Sequence, residues 1–136
     1  MGDIVVLLDE LHRLRDEIVA ELASLTDEEL RAQTEDVPWR IQHLLYRFSA
    51  HEEEHINQII AARWAIGANP SPAQLILSQF LATRGRLEGT LISLKDEQAI
   101  LSPREGEWSI IEILQHLLES DRQYLAWIRH NRAVGG

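Results

Sequence analysis

Apolar residues recur along most of the chain at intervals of three and four, the spacing of a helix with one face turned to a core. Ile4, Leu7, Leu8, Leu11, Leu14, Ile18, Leu22 and Leu25 follow Asp3, which predicts a first helix with Asp3 as its N-cap. Thr26-Asp27-Glu28-Glu29 has the capping-box pattern and predicts one short helical turn through Leu30, inside a polar connection that ends near Pro38. A second long helix carries Ile41, Leu44, Leu45, Phe48, Ile56 and Ile59 and stops around Gly67. Asn69-Pro70-Ser71-Pro72 is a breaker followed by a cap with proline at the first helical position, so a third helix runs from about Pro72 to Leu94. The fourth opens at Ser109, with Glu112 completing a capping box, and reaches about Arg132. No stretch alternates with period two, so no sheet is expected. The short connection from Gly67 to Ser71 predicts that the second and third helices are antiparallel.

The chain also repeats. A shift of about 69 places, with no gap, sets Arg15 on Arg84, Leu22 on Leu91, Leu25 on Leu94, Asp27 on Asp96, Trp39 on Trp108, Ile41 on Ile110 and Leu45 on Leu114. Tryptophan and arginine are uncommon enough for those two matches to weigh most. The reading is one all-α domain over residues 1–136, a four-helix bundle of two helix pairs (about 3–66 and 72–135) with pseudo-twofold symmetry.

Composition narrows the function classes. Hydrophobic residues make up 45% of the 136 residues, and surface scaling allows roughly 7,000 Å² for the folded chain against about 22,000 Å² extended. A single core needs no staple, and with no cysteine there is no disulfide, thiolate zinc site or cysteine nucleophile. The net charge of −9 and the lack of any lysine/arginine block argue against nucleic acid as a partner. Ile4 to Leu8, closed by Asp9 and Glu10, is too short and too acidic for a signal peptide or membrane span, so the expectation is a cytoplasmic protein.

Chemistry concentrates on the second helix. His51 and His55 stand one turn apart along the flank of its apolar stripe, which aims two imidazoles at one point. His116 lies on the matching flank of the fourth helix, one turn before Ser120, so the repeat predicts that three histidines converge at one edge of the core. His12, His43 and His130 fall off the stripes and read as surface groups. The span from His51 to His55 also fits the HExxH pattern of zinc peptidases, but those usually bind substrate along a sheet edge, and none is predicted. Glu52-x-x-His55 suggests a di-iron helix, yet the repeat supplies Asp121 and Tyr124 where a second copy is required. Glu52 and Asp121, with Arg15 and Arg84, occupy mid-stripe positions and predict two buried acid–arginine pairs. Trp39 and Trp108, just ahead of their helices, read as core staples.

The segment from Trp108 through Ser109 to His116-Leu117, followed by Ser120-Asp121-Arg122, resembles the tryptophan-serine to histidine-leucine helix of the DinB/YfiT-like superfamily of metalloenzymes. His51-x-x-x-His55-x-x-Gln58 is similar to that superfamily's second metal-binding helix. The resemblance spans nearly the whole chain and implies a four-helix bundle in which His51, His55 and His116 hold a divalent metal, commonly zinc or nickel. It departs from the family in order, because there the single-histidine helix usually comes first. Arg47 sits at the repeat equivalent of His116, and Ser120 and Tyr124 replace the histidine pair in the second half; permuted halves account for this and keep the ligand set.

Three protein ligands leave a coordination position open, as in catalytic zinc sites. The resemblance implies thiol-dependent, transferase-like chemistry on a small molecule, with a low-molecular-weight thiol held as thiolate by the metal and Glu52 or Tyr124 as candidate catalytic groups. Hydrolysis by metal-activated water is the enzymatic alternative. A non-catalytic helical binding or stress-associated protein is the other reading, and the four tryptophans and apolar helix faces also suit a homodimer.

Overall fold

The computed structural model describes residues 2–135. It is all-α, with six helices: α1 (Asp3–Leu22), α2 (Asp27–Arg31), α3 (Ile41–Ala65), α4 (Pro72–Thr90), α5 (Asp96–Ala99) and α6 (Ile110–Gly135). Among the described residues the extended structure amounts to an isolated bridge between Gln33 and Arg40. Among the described residues, no helix is long and apolar enough to cross a membrane.

The repeat governs where helices begin. Asp3 and Pro72, Asp27 and Asp96, and Ile41 and Ile110 each start a helix at the same offset. The short α5 was not predicted, since its own four residues carry no periodicity, although the repeat sets Asp96 on Asp27. Local chemistry explains the starts. Thr26 Oγ1 accepts from the Glu29 N–H at 3.1 Å, while Glu29 Oε1 accepts from the Thr26 N–H at 3.4 Å. Ser71 and Gln74 reciprocate at 3.2 and 2.9 Å, with Pro72 at the first helical position. Ser109 and Glu112 do so at 3.2 Å in both directions. Each box satisfies two of the backbone donors that a helix start leaves open. α1 departs from expectation, because Gly2 and not Asp3 is its N-cap, without a side-chain bond.

Two units divide the chain, Met1–Ile92 and Ser93–Gly136. In the first, α2 folds back against the start of α3. A tight loop makes this turn: the Thr34 N–H donates to the Trp39 carbonyl at 3.0 Å and the Ile41 N–H to the Ala32 carbonyl at 3.0 Å. Thr34 Oγ1 adds bonds to the carbonyls of Val37 at 2.8 Å and Trp39 at 2.9 Å. α1 and α4 approach through Arg15, Asp16, Val19 and Ala20 on one side and Gly85, Glu88 and Gly89 on the other. These stretches are equivalent in the repeat, with Arg15 and Asp16 at the positions of Arg84 and Gly85.

Expected neighbours within this unit stay apart. α3 and α4 are joined by a short connection but do not lie against one another along their length. Each end is closed on its own. At the end of α3 the Ala68 N–H reaches the Arg63 carbonyl at 2.8 Å, Arg63 Nε donates to the Ala68 carbonyl at 2.7 Å, and Gly67 adopts φ +73°. This left-handed closure and the Ser71 box that opens α4 satisfy the backbone without helix packing. The apolar stripes consequently stay half exposed or more, with Leu7 at 58%, Leu11 at 57%, Ile59 at 58% and Leu81 at 68%.

The predicted burial of the arginines and tryptophans is corrected accordingly. Arg15 is half exposed and pairs with Asp16 at 3.2 Å and Glu88 at 3.6 Å, not with Glu52. A guanidinium that keeps water on one side needs no buried carboxylate. Arg84 lies over the Phe80 ring at 4.9 Å. Trp108 is 51% exposed, and Trp39 is half-buried with its ring stacked on His43 at 5.2 Å.

Candidate functional site

The 3.6-residue turn of α3 sets the site, bringing His51 and His55 onto one face four residues apart. Their Nε2 atoms stand 3.0 Å apart and their rings meet edge to face, with centroids at 4.5 Å. One turn further on, Gln58 Oε1 lies 2.7 Å from His55 Nδ1. An amide oxygen only accepts, so His55 Nδ1 carries the proton and His55 Nε2 presents a lone pair. In the neutral pair, the His51 Nε2–H donates into that lone pair.

This is a relay of fixed polarity that ends on two nitrogens facing one another. Divalent zinc binds imidazole nitrogen at about 2.0–2.1 Å, and a tetrahedral angle then separates two such nitrogens by roughly 3.3 Å. The observed spacing falls about 0.3 Å short, within reach of a small rotation about the side-chain bonds. The backing of His55 by Gln58 is the support that metal-bound histidines generally have. His51 and His55 therefore fit two positions of a divalent site.

A second interaction borders the pair. Arg47 Nη1 and Nη2 grip Glu54 Oε1 and Oε2 at 2.9 and 3.1 Å, a two-pronged bridge across two turns. The hydrogen bonds and the charge of Arg47 hold the Glu54 carboxyl below its ordinary range, and His51 and His55 add weaker attractions. The same bonds raise Arg47. This bridge engages Glu54 at the surface, where Glu52 and Glu53 are exposed beside it. Sequence reasoning missed it, although the spacing of seven residues brings the two side chains to the same side of the helix.

The remaining predicted residues lie on α6, in the second unit. His116 tilts against Trp108 with ring centroids 4.9 Å apart, so the tryptophan placed in the core by sequence instead packs on the histidine. Tyr124 is exposed and leans on Trp127 at 5.9 Å. His12 and His130 are exposed, as expected, while His43 is exposed but ring-stacked. Among the described residues, no group of three or more histidine, aspartate or glutamate side chains gathers at one point within either unit.

A family model of the DinB superfamily matches residues 79–135. Over that segment, which is less than half of the chain, the sequence is similar to the DinB superfamily. The match takes in the end of α4, α5 and α6, and with them Trp108, His116 and Tyr124. His51 and His55 precede this DinB segment. No curated protein and no solved structure matches the chain.

Proposed function

We propose that the chain is a DinB-type metalloprotein whose His51, His55 and His116 hold a divalent cation, zinc or nickel, and whose chemistry is thiol-dependent and transferase-like. The observation that carries the reading is the pair of facing Nε2 atoms at 3.0 Å, with His55 oriented by Gln58. The DinB segment supports it by including His116. A bound divalent cation would stabilise a small thiol as its thiolate, the nucleophile that a chain without cysteine lacks.

In that reading Gln58 sets which nitrogen of His55 faces the cation. Arg47 neutralises Glu54, so this acid does not compete as a ligand. Glu52 and Tyr124 are the groups available to move a proton near the reacting atoms. Hydrolysis remains the second enzymatic reading, since it uses the same open coordination position with water in place of a thiol.

The test is a titration of metal-free protein with zinc, nickel and cobalt(II), comparing wild type with His51→Ala, His55→Ala and His116→Ala. Each substitution is expected to weaken binding by well over tenfold. Cobalt-loaded protein should then develop a near-ultraviolet thiolate band on addition of a small thiol. Equal affinity in wild type and His116→Ala overturns the three-histidine site; cobalt binding without a thiol band leaves the site but overturns the thiol chemistry.

A further inference from the structure

One face of α3 carries more than the two histidines. At about 100° per residue, Glu54, Gln58, His51 and His55 all fall within about 80° of Arg47 around the helix. The two-pronged contact of Arg47 with Glu54, at 2.9 and 3.1 Å, therefore runs along the same side as the imidazole pair. The charges of His51 and His55 both reach the Glu54 carboxyl, so a carboxylate already stands near the facing Nε2 atoms, held by a guanidinium. All of these groups belong to a single helix, and the turn of that helix alone arranges them.

We infer that Arg47 recognises a carboxylate on the ligand of the proposed cation site, so that the thiol taken there is a small one bearing a carboxylate a few bonds from its sulfur. The inference rests on that cation site and names the thiol it selects. The planar fork of arginine matches both oxygens of a carboxylate, and Arg47 already holds Glu54 in this way, with the Glu54 side chain standing in for the ligand's group. Arg47 starts about 6 Å along the axis from His51, a span that a thiol with its carboxylate two or three carbons from sulfur covers. Glu54 can give way, because an ion pair between two side chains at the surface of one helix contributes little. A thiol anchored at the cation brings its carboxylate to the fork as an intramolecular competitor, with the same advantage of proximity that Glu54 has.

Titration of the cobalt-loaded full chain with 3-mercaptopropionate and with its uncharged methyl ester tests this, the thiolate band giving the affinity of each. Three proteins are compared: wild type, Glu54→Gln, and Glu54→Gln combined with Arg47→Gln. Removing the competing carboxylate in Glu54→Gln should raise the preference for the acid over the ester by about threefold or more. Removing the guanidinium as well should abolish that gain and leave the affinity for the ester unchanged. The pair of substitutions is used because Arg47→Gln alone would release Glu54 beside the cation. Thiolate bands with an equal acid-to-ester ratio in the single and double variants overturn this inference and leave the thiol chemistry standing. Cobalt binding with no band from either thiol overturns the thiol chemistry and this inference together.

Discussion

A histidine is informative here through what holds its far nitrogen. His55 differs from the solvated His12 and His130 because Gln58 fixes its protonated nitrogen and leaves Nε2 aimed at His51. Gln58→Leu should therefore keep both imidazoles yet weaken zinc binding by about 10- to 100-fold, as loss of an orienting partner generally does. Calorimetric titration of metal-free protein measures this, and unchanged affinity would show Gln58 to be a bystander. Glu54 makes a prediction of a different kind. Its folded-state pKa lies below the ordinary one, so its bridge to Arg47 contributes stability above the unfolded value and loses it as pH falls through the folded value. The melting-temperature gap between wild type and Glu54→Gln should accordingly be largest near neutral pH and close as pH falls through and below the ordinary glutamate range. A gap that stays constant would mean the bridge does not form in solution.

At the scale of elements, starts and stops were readable because short-range chemistry dictates them. Ser71-Pro72 and Ser109 with Glu112 announce helices through side chains three residues apart, and the structure forms both boxes. Ser109→Ala should lower stability by about 1 kcal/mol, read by chemical denaturation, and a loss below about 0.5 kcal/mol would mean that water caps α6 as well as Ser109 does. Gly67 is the matching stop. Its φ of +73° costs a residue with a Cβ roughly 1–2 kcal/mol, although nothing within 4 Å obstructs the added atom. Gly67→Ala should therefore destabilise by strain alone, and a neutral outcome would mean the closure of α3 re-forms differently. What sequence could not supply is which helix faces which. Periodicity gives the face that wants covering, and α1, α3 and α4 each carry such a face, but a stripe of leucine or isoleucine accepts any other stripe. The buried Arg15 pair presumed one packing, and it fails because the guanidinium stays half exposed beside Asp16 and Glu88. The paired histidines survive because one helix turn suffices to place them.

For the molecule as a whole, the proposed centre draws on both halves of the repeat, with His51 and His55 on α3 and His116 on α6. Three ligands to one cation are coupled, so their losses should not add. His55→Ala and His116→Ala should each weaken zinc binding more than tenfold, and the double variant should lose less than the product of the two single losses, because either change alone already leaves the centre incomplete. Calorimetric titration of metal-free protein also reads the stoichiometry, expected at one zinc per chain. Two equivalents per chain, one of them kept at wild-type affinity in His116→Ala, would mean that the α3 pair and His116 serve separate cations, which overturns the three-histidine centre while leaving the His51–His55 pair a binding site of its own.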